Sequence, residues 1–159
     1  MCYIHLELLT KKGCSILNNV GVQPKIGEVY FMNFGGSGSE QSGWRPGVVF
    51  QNNTGNNYSP NIIALPLTSS IKKVSQPTHV VLPADGTGLK MDSMVLCENP
   101  ERMSKERIGN YITTIPDEYM GDIAAASLLA SSAISYLNPE DLLPIWRKAV
   151  SLNAANTVA

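Results

Sequence analysis

The sequence predicts a mainly β domain that ends in helices, and three observations support this fold class. Short apolar runs follow one another at close spacing between residues 28 and 97. Segments rich in glycine, proline and asparagine separate these runs, which is typical of a small barrel or curled sheet. From Pro116 onward the composition shifts to alanine, leucine and isoleucine, which favours helix. The 159 residues are enough for one domain with a hydrophobic core.

Five strands are expected, because each run contains the β-branched and aromatic residues that favour extended structure. They are Glu28–Phe31, Pro46–Gln51, Asn61–Leu67, Thr78–Leu82 and Ser93–Cys97. The glycine-rich residues 35–38 end the first strand, and the turn-forming residues 52–57 end the second. Residues 1–24 are assigned to an N-terminal extension, in which Ile4–Leu9 is compatible with a short helix or a short strand.

Two helices are predicted after the strands. Pro116 with Asp117 and Glu118 is a favourable start, because proline suits the first turn and acidic side chains suit the helix dipole. This helix is expected to reach Leu137, which closes a domain of residues 25–137.

A second helix is expected to begin within residues 138–141, so that residues 138–159 form an extra helix and tail. Arg147 and Lys148 suit its last turn, and the tail from Ser151 is expected to fray. Its apolar residues predict a face buried against the domain. These residues are Leu142, Leu143, Ile145 and Trp146.

The overall composition argues against several classes of function. The net charge is −1 and the pI about 6.1, so no global basic field indicates nucleic-acid binding. Between residues 41 and 107 there is a weak positive excess of seven Lys and Arg over five Asp and Glu. The three scattered cysteines predict reduced thiols in the cytoplasm, and two distant histidines predict no metal site. No run suggests a secretory signal or a membrane span.

Two residues stand out chemically. Arg45 lies between a polar, glycine-rich loop and Pro46, and the proline biases the arginine toward extended backbone. The guanidinium of an arginine held in this way has a fixed fork of donors that suits a phosphate. Thr68 ends an apolar run, where its hydroxyl could donate to a phosphate oxygen. A surface salt bridge at Arg45 and a turn cap at Thr68 are the alternative interpretations. The loop Ser69–Thr78 adds lysines and polar side chains of the kind that bind unstacked bases.

The order of motifs resembles the MazF/PemK family of toxin–antitoxin endoribonucleases over residues 25–137. The motifs are G-E-V-Y-F, G-S-E-Q-S-G-W-R-P, Q-N-N-T-G-N-N-Y-S-P, L-T-S, Q-P-T-H-V and D-S-M-V-L-C-E. The resemblance implies an SH3-like barrel of the PemK/CcdB type with a C-terminal helix, assembled as a homodimer. It also implies a cytoplasmic toxin that cleaves single-stranded RNA without metal or cofactor and is neutralised by a cognate antitoxin.

The resemblance further implies the chemistry and its residues. The 2′-OH of the substrate would be the nucleophile, which leaves a 2′,3′-cyclic phosphate or 3′-phosphate and a 5′-OH. Arg45 and Thr68 match the catalytic arginine and threonine of the family. The general base stays unassigned, with Glu98 as a spare candidate. The residues assigned to RNA binding are Glu40, Gln41, Ser42, Ser69, Lys72 and Gln76.

Two other interpretations remain open from the sequence. A CcdB-like protein on the same fold would bind and poison DNA gyrase and would need no Arg45–Thr68 pair. A domesticated domain would use the added termini for a regulatory or structural role. One branch of the family places Arg-Cys-Asp on the late strand, but this chain has Leu96-Cys97-Glu98 there, so the machinery of that branch is not expected.

Overall fold

The computed structural model describes residues 23–38, 41–72 and 75–154, with side chains described up to Ser151. The strands are β1 Glu28–Gly35, β2 Ser42–Val49, β3 Asn61–Thr68, β4 His79–Leu82, β5 Ser93–Leu96, β6 Glu101–Ser104 and β7 Ile108–Thr114. The helices are α1 Asn53–Tyr58, the short α2 Ala84–Thr87, α3 Asp117–Ser131 and α4 Pro139–Ala154. Short 3₁₀ turns cover Lys105–Arg107 and Ala133–Tyr136.

The strands form one antiparallel, curled sheet in the order β4-β5-β3-β2-β1-β7, with β6 paired to β3 outside this path. The predicted fold class, mainly β with C-terminal helices, is confirmed. The path of pairing is open, so the sheet is similar to a barrel without being a closed one. Two layers of core result, one between the sheet and α3 and one on the other face of β1 and β2. The first includes Val29, Val48, Leu65 and Ile123, and the second includes Met32, Phe34, Val49 and Ile62.

β3 changes its partner along its length. Gly47 pairs with Pro66 at the last position of the β2–β3 ladder, and Leu67 then pairs with Val95 on β5. The β5–β6 connection runs past β3 on the side opposite β2, because β6 pairs with the first half of β3. The last two residues of β3 are therefore paired with β5 and have no partner on β2.

All five predicted strands are present, but β6 and β7 were missed because their sequences, E-R-M-S and I-G-N-Y-I-T-T, are largely polar. The first predicted helix ends at Ser131, not at Leu137. Ser132 has a φ of 54°, and this left-handed residue stops the helix.

The second predicted helix is present as α4 and extends through Ala154, so Arg147 and Lys148 lie in its middle, not in its last turn. The tail predicted to fray is helical up to Ala154, and residues beyond 154 lie outside the described part. The prediction of a buried face on α4 is wrong, because every residue from Pro139 to Ser151 is exposed. Nothing in the described chain is packed closely enough against α4 to cover it. The predicted segment Ile4–Leu9 lies outside the described residues.

Candidate functional site

The guanidinium of Arg45 is held by the loop that leads into β2. Its Nη1 donates to the side-chain oxygen of Gln41, and its Nη2 donates to the carbonyl oxygen of Ser42 at 2.7 Å. Its Nε is buried and has no hydrogen-bond partner among the described residues. Both acceptors are neutral oxygens, so these contacts orient the guanidinium without cancelling its charge. Arg45 has no carboxylate partner in the described chain, so the alternative interpretation of Arg45 as a surface salt bridge is not supported there.

Thr68 is the last residue of β3 and is half-buried. Its Oγ1 accepts a hydrogen bond from the backbone N–H of Ser70 at 3.1 Å, which is the predicted turn cap. A hydroxyl that accepts one hydrogen bond still has its own O–H to donate. The cap therefore fixes the position of the oxygen while the hydroxyl proton stays available for a ligand.

The register of β2 and β3 places Arg45 and Thr68 at the same end of the ladder. Each lies two residues beyond the final pair, Gly47 with Pro66. Side chains alternate along a strand, so Arg45 points to the face of Gly47 and Thr68 to the face of Pro66. Since directly paired residues share a face, both polar side chains lie on the same side of the sheet. Both lie just beyond the end of the β2–β3 pairing.

The space beside Gly47 is tightly limited. A Cβ at this position would lie 2.7 Å from Phe34 Cζ and 3.0 Å from Met32 Sδ. Met32 is also the residue of β1 that pairs with Arg45. The absence of a side chain at Gly47 thus lets Phe34 approach β2 next to the arginine.

A cavity of about 420 Å³ opens on this side of the sheet. Its wall includes Phe34 and Gln41 from the β1–β2 region, Pro66 of β3 and Arg107. Glu98 and Asn99, from the connection between β5 and β6, form the opposite wall. Gln41 lines this cavity and accepts a hydrogen bond from Arg45, so the arginine lies next to the cavity, although neither Arg45 nor Thr68 lines it.

The cavity wall carries one ion pair, and a second carboxylate on the wall contacts a histidine. Arg107 Nη2 lies 2.7 Å from Glu101 Oε1, and Arg107 Nε donates to the carbonyl of Asn33 at 2.7 Å. His79 Nε2 lies 2.9 Å from Glu98 Oε1. These partners were missed in the sequence, where 19 residues separate His79 from Glu98 and no local motif joins them.

The structure brings some of the predicted RNA-binding residues next to Arg45 and Thr68 and leaves others apart. Gln41 and Ser42 contact Arg45, and Ser69 follows Thr68 directly and is exposed. Lys72 and Gln76 are exposed on the two sides of residues 73–74, which are not described. Glu40 also lies outside the described residues, so its predicted contact with RNA stays a prediction.

Cys97 lies beside the site but is chemically quiet. It lines a second, mainly apolar cavity of about 540 Å³ between α3 and the sheet. The pKa of its thiol is raised to about 11, mainly by burial and in smaller part by the charge of Glu98, whereas the Ser127 side chain lowers it. A neutral thiol is a poor nucleophile. Within the described chain, no three His, Cys, Asp or Glu side chains come together so that they could hold a metal ion.

Comparison with known proteins places this site in a family. Residues 25–129 match the family of PemK-like, MazF-like toxins of type II toxin–antitoxin systems. The chain therefore belongs to this family, and the family predicted from the order of motifs is confirmed. The matched region includes every strand, Arg45, Thr68 and both walls of the cavity. It excludes α4 and the residues before Lys25.

Individual relatives support the same assignment. Endoribonuclease EndoA of Bacillus subtilis (strain 168) is 37% identical over 113 residues, which cover 70% of this chain and 97% of the relative. A mycobacterial endoribonuclease in complex with its cognate antitoxin is 25% identical with a TM-score of 0.58 and covers 69% of this chain and 95% of its own. MazF from Deinococcus radiodurans shares the fold with a TM-score of 0.62 at 24% identity, over 70% of this chain and 99% of that one.

Proposed function

We propose that this chain is a sequence-specific endoribonuclease toxin that cleaves single-stranded RNA in the cytoplasm without a metal ion. The observation that carries the proposal is the placement of Arg45 and Thr68 beyond the Gly47–Pro66 pair, on one face and at one end of the β2–β3 ladder. A guanidinium and a hydroxyl in this arrangement can both reach one phosphate group. Family membership and the endoribonuclease activity of EndoA, its relative, support the substrate class.

In the proposed reaction, the 2′-oxygen of the substrate attacks the adjacent phosphorus. The new O2′–P bond forms as the P–O5′ bond breaks, which gives a 2′,3′-cyclic phosphate and a 5′-oxygen that takes up a proton. Since the nucleophile belongs to the RNA, the protein needs no nucleophilic side chain. Its task is to stabilise the charge on the phosphoryl oxygens and to move two protons.

Arg45 stabilises the charge that develops on the phosphate. Its hydrogen bonds to Gln41 and Ser42 hold the guanidinium before substrate arrives, so little reorganisation is needed during the reaction. The hydroxyl of Thr68 donates a hydrogen bond to a second phosphoryl oxygen, while the Ser70 N–H fixes the position of its Oγ1. One such preorganised donor contributes on the order of 10²- to 10³-fold to the rate.

Arg45 is poorly suited to accept the proton of the 2′-OH, because an arginine side chain stays protonated near neutrality. Glu98 is a carboxylate on the cavity wall and is oriented by its contact with His79. We assign Glu98 as the general base that accepts this proton, and His79 as the residue that orients it. The remaining RNA contacts are assigned to Glu40, Gln41, Ser42, Ser69, Lys72 and Gln76.

The proposed partners follow from the same site. A cognate antitoxin that covers Arg45 and the loop after Thr68 would block RNA, so antitoxin and RNA should compete. The solved mycobacterial relative is a complex with its cognate antitoxin, which supports such a partner. We further propose a homodimer, as predicted from the resemblance.

The decisive experiment incubates a long RNA with the protein in the presence of EDTA and maps the new ends. Cleavage that leaves cyclic phosphate and 5′-OH ends is expected, with no cleavage where the nucleotide before the scissile bond is 2′-deoxy. Cutting at the deoxy position, or complete loss of cutting with EDTA, would refute the mechanism. Gyrase poisoning without RNA cleavage would refute the function.

The same assay tests the arginine. Arg45→Ala should keep the fold and lower cleavage by on the order of 10³-fold, because both phosphate donors of the fork are lost. Arg102→Ala is a matched control, since Arg102 is exposed on β6 and lies outside the cavity. Equal activity in the two variants would remove Arg45 from the catalytic site.

A further inference from the structure

α4 presents an apolar face that the described chain leaves uncovered. Leu142, Leu143, Trp146 and Val150 recur at spacings of three and four residues, which places them on one side of the helix. Their exposed fractions lie between 36% and 61%, the largest being that of Trp146. A contiguous exposed apolar surface of this kind indicates a docking site.

The start of the described chain lies on the same side of the domain as α4. The backbone N–H of Ile26 donates to Asn53 Oδ1 of α1 at 2.8 Å, and Lys105 Nζ links Gln23 to the carbonyl of Asn56, also in α1. α4 makes its main contact with α1. Residues 1–22 are therefore connected to the domain next to the element that α4 touches.

We propose that residues 3–9 of the same chain cover the apolar face of α4. This segment, Y-I-H-L-E-L-L, contains five apolar side chains. The 14 residues from Leu9 to Gln23 can span up to roughly 46 Å when extended, and α4 is about 24 Å long. The segment can therefore reach any part of the helix from its attachment beside α1.

Charge supports the same pairing. Lys11 and Lys12 follow the apolar segment, and Glu140 and Asp141 form the first turn of α4. Opposite charges next to an apolar contact favour one orientation of docking. Both parts also lie outside the residues 25–129 that match the family, so the relatives' shared domain supplies neither of them. The two additions form a single unit, an N-terminal strap on a C-terminal helix, which does not depend on RNA cleavage.

Trp146 provides a direct test in the full-length protein. Of the two tryptophans, Trp44 is stacked on Phe31 and can be replaced by Phe, which leaves Trp146 as the sole emitter. In this background Ile4→Asp with Leu8→Asp should raise the acrylamide quenching constant of Trp146 by about two- to threefold, since the apolar cover is lost. Ser15→Asp with Asn18→Asp adds the same charge at polar positions and should leave quenching unchanged.

A second test changes a residue of α4 instead of the N-terminal segment. Leu143→Asp should increase tryptic cleavage after Lys11 and Lys12 about tenfold, because an undocked segment is open more of the time. Ser151→Asp, on the other side of α4, should not. Both variants report on the native domain, whose fold is checked by circular dichroism.

The remaining outcomes decide against the proposal. If Trp146 is quenched equally in all variants, the face is open and the strap does not exist. If protection of Trp146 disappears when the protein is diluted, a second copy covers the helix instead. If protection appears only after antitoxin is added, the occupant is the antitoxin.

Discussion

His79 Nε2 lies 2.9 Å from Glu98 Oε1, which joins β4 to the connection between β5 and β6 on the wall of the cavity. The histidine side chain is only 7% exposed, whereas that of the glutamate is 34% exposed. The glutamate is thus the member of the pair that a ligand in the cavity can reach. This arrangement gives the site a carboxylate held in a fixed position.

Glu98→Gln should lower RNA cleavage by about 10²-fold, because the amide keeps the hydrogen bond to His79 but cannot accept a proton. Stability should change by less than about 1 kcal/mol, since the pair is partly exposed. Glu106→Gln, at an exposed position, is the matched control. An unchanged cleavage rate in Glu98→Gln would remove Glu98 from the proton-transfer step.

Thr68→Val should lower the cleavage rate by on the order of 10²- to 10³-fold while the protein stays folded, because valine keeps the shape of threonine but has no hydroxyl. Thr68→Ser should restore most of the activity. The comparison is made in single-turnover assays, which separate chemistry from RNA binding. Equal loss in both variants would assign Thr68 a packing role and contradict the proposed hydrogen bond to phosphate.

Gly47→Ala should lower the free energy of unfolding by about 1–3 kcal/mol, because the added methyl group overlaps Phe34 and Met32. Gly121→Ala is the matched control in α3, where a Cβ meets no atom within 4 Å. This second change should raise stability by about 0.5–1 kcal/mol, since alanine favours helix. Urea unfolding of both variants measures the difference. An unchanged free energy of unfolding in Gly47→Ala would mean that β2 can shift at this position at little energetic cost.

The Cys97 thiol should react slowly with iodoacetamide in the folded protein at pH 8, because its pKa is raised to about 11. The folded state holds this proton where the unfolded chain has lost it. The contribution of Cys97 to stability is therefore complete below pH 9 and declines as the pH rises toward 11. Mass spectrometry of a Cys2→Ser, Cys14→Ser variant measures the reaction. The same reaction in urea should be about 100-fold faster, and equal rates would show that Cys97 is not buried.

Local sequence preferences predicted a large part of the fold. Val48, Val49, Ile62 and Val95 lie in apolar runs bounded by turn residues, and all lie in strands of the core. The helix start at Pro116 was also predictable, because proline and acidic residues act within a single turn. β6 and β7 were not predictable, since their polar sequences become strands only by pairing with β3 and β1.

The candidate site likewise consists of residues that the sequence identified and of contacts that only the structure shows. Arg45, Thr68 and the loop residues were identified from the sequence through their resemblance to a family. The partners Glu98 with His79 and Glu101 with Arg107 were found only in the structure. Pairs of this kind join separate elements, and no spacing along the chain encodes their distance.

By itself, the sequence determined most of the extended segments, where the long helices begin and which residues are candidates for binding a phosphate, because these properties depend on neighbours along the chain. Only the tertiary structure decided that Arg45 and Thr68 share one face and one end of a ladder, because that depends on the register of β2 with β3. It also decided that the described domain leaves Trp146 exposed, although its neighbours on α4 predicted burial. Burial requires an opposing surface, and an apolar helix face does not specify where that surface comes from.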